Sequence, residues 1–458
     1  MEPLLQPSGS SSHATHNPDD AAANAGHGDG SNTTTLRDRV LLHPDVHVGS
    51  VEKRTRKHWV HDECGYMALA QAQAECEKVA YVPGFMAQRE VTYVPALLKI
   101  FDEVLLHAAD NHHPAIDATL RVDVDAAGGR VSVYCTGDGG VPIAVHHDKP
   151  VFVPETVFGH FTGAGDNPDD NNIEVAGAGD GRYGVKLANV FSTEFIVEIA
   201  DGPGRRQYKQ VFSDNMGTAS YPEVTGYTEG TSFTKVTFTP DLARFNMTRL
   251  DEDDAVAAMQ KRTFDMTGVL GGAVQVEFNG TRMPVQCFSD YVLWHVWKPW
   301  SMANGGSGEP PVICKSVDGQ WEVGVSLTDH GTQFAQVSFV NKIATVAGGT
   351  HVNHVARKIA THVVTYMKDR FGQADVDEED VKRHLMVFVN LRMENPTFDS
   401  PTCREALTTP QEEFGSECEL SHLFYAMVLR TSSVGQAEDQ VRAASGRMYA
   451  ASVKGGDR

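Results

Sequence analysis

Residues 93–111 read YVPALLKIFDEVLLHAADN, and the spacing of their apolar side chains decides the fold. Pro95 is a favourable first helical residue, because its ring presets φ and its missing N–H would have no helical partner. From there Leu97, Leu98, Phe101, Val104, Leu105 and Ala108 recur on one helical stripe. Glu103, His107 and Asp110, spaced i, i+4, i+7, share another face. At about 100° per residue that polar face lies between Ile100 and Leu106. Apolar borders on both sides predict a pocket wall; the competing reading is a solvated stripe.

Working outward, alternation predicts strands at Leu120–Val124 and Val131–Cys135, joined by an Ala126-Ala-Gly-Gly hairpin turn. Glycine-rich segments follow at 137–142 and 177–184, the second leading into a helix over 185–190, then a strand over 195–199. Residues 231–345 read mostly as strands and loops. A helix is expected from Val352 to about Arg370, a strand over Leu385–Leu391 and a C-terminal helix from Glu419. The fold class is α+β, with two domains after the tail.

The 458 residues carry 39 Lys+Arg against 60 Asp+Glu, a net charge of −21, which excludes a globally basic nucleic-acid coat. No apolar run of about 18 residues exists, so no membrane partner is expected. Residues 1–35 hold four acids, no Lys or Arg and few large apolar residues, as in a disordered tail; they lack the marks of a secretory signal or a mitochondrial presequence. Seven scattered cysteines without a C-x-x-C point to free thiols in a reducing compartment.

Six segments together resemble the N-terminal ATPase region of eukaryotic type IIA DNA topoisomerases: LLHPDVHVGSVE (41–52), the opening stretch 93–111, VFVPETVFGHF (151–161), YGVKLANVFSTEF (183–195), VSFVNKIATVAGGTHVNHVA (337–356) and FVNLRMENPTFDSPT (388–402). They occur in the family's order. The resemblance implies a GHKL (Bergerat-type) ATP-binding α/β sandwich over 36–264, with an insertion at about 63–90. It implies a transducer domain of ribosomal-protein-like βαβ fold over 265–430, and a C-terminal helix or tail over 431–458. It further implies ATP and Mg²⁺ as cofactors, a homodimer, DNA contact through the transducer or membership of a protein complex, and an intracellular, foremost nuclear, location. These residues contain no metal-binding TOPRIM motif and no winged-helix segment with a DNA-cleaving tyrosine. DNA cleavage by this chain alone is therefore not expected.

Carried over position by position, the family's water-activating glutamate is Glu103, a general-base candidate. One turn on, the family's Mg²⁺-binding asparagine is replaced by His107, a poor ligand for a hard cation, whereas Asp110 and Asn111 match the family. In C-T-G-D-G-G-V-P (135–142), Thr136 stands at the adenine-contacting asparagine; Gly137 keeps the loop and Asp138 is a displaced surrogate. Thr cannot supply an amide's paired donor and acceptor. In TGAGDN (162–167), Ala164 and Gly165 replace two serines, Asp166 adds unfavourable charge and Asn167 retains the asparagine if the loop shifts by one. In the phosphate loop GDGRYG (179–184), Gly179 and Gly184 hold their places, the middle glycine has moved to Gly181, and Arg182 precedes Tyr183. Lys186 follows in the matched helix. Whether Arg182 blocks or attracts a triphosphate stays open.

The transducer's Q-T-K becomes Pro401-Thr402-Cys403, which places a neutral thiol at the switch lysine. Thr402 keeps its place, and Arg404 reaches in only if the loop is remodelled. Together these departures favour an impaired or pseudo-ATPase over an active, DNA-stimulated ATP hydrolase; a third reading is a structural subunit with a filled pocket. Outside the site, His351, His354 and His362 are expected to be surface or packing residues rather than metal ligands, and Arg357, Lys358, Lys368 and Arg370 form a basic tract on one helix.

Overall fold

The computed structural model describes residues 15–16, 35–61, 86–110, 118–137, 140–147, 150–161, 184–303, 310–327, 333–371 and 376–431. The alternating segments form a ten-stranded sheet. Its centre pairs Ala118–Asp125 with Arg130–Thr136 antiparallel, Leu120 facing Cys135, and Arg130–Thr136 with Phe233–Pro240. Ser192–Asp201 and Arg206–Ser213 extend it on one side. On the other side Val274–Phe278 adds in parallel to Ala118–Asp125, so the sheet recruits chain beyond residue 264.

Pro95–Asp110 is a helix, as its stripe predicts, and it packs on Gly184–Val190, on Ala255–Leu270 and on Arg130–Thr136. Leu97, Ile100, Phe101, Val104 and Leu105 are almost fully buried, placing the helix between sheet and neighbours. A five-stranded sheet follows in the order Val312–Val317, Trp321–Leu327, Leu385–Leu391, Ala335–Val340, Ile343–Ala344. All seven residues of Leu385–Leu391 are buried, as befits a central strand. Ala335–Val340 runs parallel to it, and the connection between them contains the helix Thr350–Phe371.

Three sequence expectations are corrected. Residues 231–345 contain two 16-residue helices, Ala255–Leu270 and Phe288–Ala303. The first buries Lys261, Arg262 and Asp265 along with its apolar residues, so no polar face marks its period. Residues 86–90, expected inside an insertion, belong to the strand Met86–Tyr93, which pairs with Arg54–His61; residues 62–85 lie outside the described set. Among the described residues the last helix is His422–Thr431 rather than starting at Glu419, because Ser421 Oγ accepts the Phe424 N–H. Among the described residues no helix is long and apolar enough to cross a membrane.

Candidate functional site

The polar face of Pro95–Asp110 meets the loop that follows the strand Leu385–Leu391. Lys99, one turn before Glu103, pairs with Glu103 Oε1. Arg404, 301 residues further along the chain, donates from Nη2 to the same oxygen. The three side chains are each 12% exposed. Burial by itself pushes the Glu103 carboxyl up, but Lys99 first and Arg404 second overcome it and hold the group below the usual carboxylate range. Burial lowers the Lys99 ammonium, with Glu103 opposing the shift.

Two local features bring the loop and the carboxylate together. A Cβ at Gly184, the first residue of its helix, would lie 1.9 Å from Glu103 Oε2, so the carboxylate occupies the space of the missing side chain. Arg404 adopts φ 52°, a left-handed backbone uncommon for a bulky residue. Its Nε is buried without a hydrogen-bond partner, an unused donor beside Glu103.

A second layer ties the helix to the transducer segment. Arg262 Nε lies 2.5 Å from Asp102 Oδ1, and its Nη2 donates to the Lys342 carbonyl at 2.6 Å. Lys342 Nζ donates to Asp110 Oδ1 at 2.6 Å and to the Ala109 carbonyl at 3.1 Å, a cation at a helix C-terminus.

Of the sequence-derived site residues, the structure brings together Glu103, Gly184 and Arg404. Asp110 is on the same helix, held by Lys342. Thr136 Oγ1 accepts the Thr119 N–H at 2.7 Å. The Gly137 N–H bonds the Ser232 carbonyl, and Lys186 is buried in the helix begun by Gly184. Thr402 Oγ1 donates to the Val46 carbonyl at 2.6 Å, anchoring the loop base. Asn111, Asp138, Asn167, Gly179, Gly181, Arg182 and Tyr183 lie outside the described residues. Sequence reasoning missed Lys99; its i, i+4 spacing to Glu103 was the available signal.

His107 does not fit a Mg²⁺ site. Its ring sits edge-on to Phe158 at 5.0 Å between centroids, and burial lowers it to about 4, so it is neutral at pH 7. No group of three His, Cys, Asp or Glu among the described residues could hold a metal. Of the three histidines near one helix, His351 is fully buried and lies 3.2 Å from Thr345 Oγ1, and His362 stacks on Tyr425 at 4.0 Å.

A buried carboxylate kept charged, with cations on one side and glycine on the other, can accept a proton while opposing an anion. On an α/β sandwich joined to a βαβ unit, this defines a GHKL-type ATPase module with its transducer. The DNA gyrase B family profile matches residues 294–441. DNA topoisomerase 2 of Arabidopsis thaliana is 44% identical over 400 residues, covering 87% of this chain and 25% of that protein. The ATPase region of Saccharomyces cerevisiae topoisomerase II superposes with a TM-score of 0.71 at 32% identity, covering 92% of this chain and all of that one. The ATPase and transducer domains of Balamuthia mandrillaris DNA topoisomerase II give 0.72 at 32%, covering 92% and 98%. The chain belongs to the eukaryotic type II DNA topoisomerases and corresponds to their N-terminal ATPase and transducer region. It spans about a quarter of the length of the curated relatives it matches.

Proposed function

We propose that this chain is an ATP-binding, dimerising gate module of a nuclear type II topoisomerase system, with weak hydrolysis. The carrying observation is the contact of Arg404, from the transducer segment, with Glu103. Arg404 takes over the task of the lysine that Cys403 replaces: it presents a permanent cation and an unused Nε donor where a terminal phosphate would be sensed. Glu103 is the base that would draw a proton from water, held ionised by Lys99 and Arg404. Two ion pairs must loosen before it acts. His107, neutral and edge-on to Phe158, is a poor ligand for a hard cation at that position, so the same geometry supports slow turnover. DNA contact belongs to the basic tract on Thr350–Phe371, where Arg357, Lys368 and Arg370 are exposed.

Calorimetry with ATP and a turnover assay with and without Mg²⁺ and DNA test this. ATP binding with low turnover is expected, and Glu103→Gln should reduce the residual rate by roughly 10²-fold or more. Arg404→Ala should weaken ATP binding. Robust Mg²⁺-dependent turnover abolished by Glu103→Gln would overturn the impaired reading and establish an active gate. Absence of ATP binding would overturn the nucleotide gate itself.

A further inference from the structure

One edge of the ten-stranded sheet is closed by the N-terminal segment. Thr15–His16 is the outermost strand there, antiparallel to Thr218–Ser220, with Thr15 opposite Ser220 and His16 opposite Ala219. This departs from the expectation of a tail without structure over residues 1–35. Pro18 follows two residues on and has no N–H to add to a ladder, which keeps the addition short. On its other side Thr218–Ser220 pairs with Arg206–Ser213. Without Thr15–His16 it would be an open edge beside the exposed Tyr221 and Val224. Free backbone groups next to apolar side chains are a template for pairing with another chain.

The same hairpin is gripped a second time where the segment returns. Asp214, Asn215 and Met216, in the turn that leads into Thr218–Ser220, have φ 55°, 59° and 63°. Three successive left-handed residues are unfavourable for side-chain-bearing residues and need outside support. Arg37, on the helix Leu36–Leu42, donates from Nε to the Asn215 carbonyl at 2.6 Å and from Nη2 to the Asp214 carbonyl at 2.7 Å. A Cβ at Gly217 would lie 2.9 Å from that Nη2, so the bare glycine leaves the guanidinium its place. Asn215 Nδ2 donates to the Val190 carbonyl at 3.0 Å and Met216 is buried, so the turn is a fixed anchor for Arg37.

We propose that this sheet edge is a strand-docking surface whose occupant is the chain's own N-terminal segment, added in cis as an edge cap and tethered by Arg37. The two grips identify the occupant. Arg37 brings the segment back to within a few residues of the strand that Thr15–His16 joins, so the tether gives intramolecular addition the advantage over any other chain. Strand addition is carried by main-chain hydrogen bonds, which suits the polar stretch SSHATH (11–16). The cap denies the edge to strands of other molecules.

Hydrogen exchange of the full chain, read by peptide mass spectrometry over 218–221, tests this. Thr15→Pro/His16→Pro removes both N–H groups of the added strand. It should speed exchange there roughly three- to tenfold, the worth of one net hydrogen bond, and leave 233–240 as in the parent chain. Equal rates over 218–221 in parent and variant would overturn the dock. Protection in the parent should be unchanged on dilution, because an intramolecular contact does not depend on protein concentration. Protection that falls on dilution would assign the edge to a second copy and overturn addition in cis. Arg37→Ala should speed exchange over 218–221 as well as over 214–217; a rise confined to the turn would overturn the tether. No arm uses ATP, so a failure of the nucleotide reading leaves each outcome unaffected.

Discussion

Glu103 was legible in the sequence because a helix stripe placed it and a family motif gave it a task. Its two cations were not equally legible. Lys99 sits at a spacing any helix reader would find, but Arg404 reaches Glu103 only because the loop turns through a left-handed residue. A double-mutant cycle measures the pair. Arg404→Ala should destabilise the fold by roughly 1–3 kcal/mol, the range for losing a charged hydrogen bond. The same change in a Glu103→Gln background should cost at least about 1 kcal/mol less, as residues in one network are non-additive. Additive costs in urea denaturation would show that the contact contributes nothing to stability.

Among elements, the strands were read well, since alternation survives wherever one face is buried: Leu120 and Val122 face inward while Arg121 and Asp123 are exposed. The helix Ala255–Leu270 was lost for the opposite reason. Twelve of its 16 residues are buried, including the pair Lys261–Asp265 at 2.8 Å. Asp265 Oδ1 also accepts the Tyr291 hydroxyl at 2.6 Å, fastening this helix to Phe288–Ala303. Lys261→Met should therefore destabilise strongly, by about 3–5 kcal/mol, as it strands a buried carboxylate. Replacing Asp265 as well, in Lys261→Met/Asp265→Leu, should recover much of that loss. Thermal denaturation of the two variants checks both, and equal stability of the two would show that the charge, once unpaired, finds no penalty.

At the scale of the molecule, long-range contacts such as Glu103–Arg404 and Arg262–Lys342 link segments that no local pattern joins. Only the resemblance made the overall plan legible. The pH response belongs to this scale. Burial lowers His58 and His107 to about 4 and His295 and His351 to about 3. Their folded values lie below the unfolded value of about 6.5, so the unfolded chain takes up protons first as pH falls. Their stabilisation is full above about pH 6.5 and is lost progressively toward pH 4, by up to about 1.4 kcal/mol per unit for each histidine. Glu103 has a depressed pKa, so its contribution persists until pH drops below the ordinary carboxylate range. Denaturation midpoints at pH 7 and pH 5 should differ in that direction; equal midpoints would contradict neutral burial of these rings.

The backbone of Arg404 carries a mechanical consequence. A left-handed conformation costs a side-chain-bearing residue roughly 1–2 kcal/mol, offset here by the grip on Glu103. Once the grip is lost, the backbone there is held by its own N–H to the Ser400 carbonyl at 3.0 Å and by the Thr402 anchor, against its own conformational preference. Regrasping must climb the same step. The grip on Glu103 therefore works against a strained backbone as well as holding a charge, so its loss releases strain at the same step.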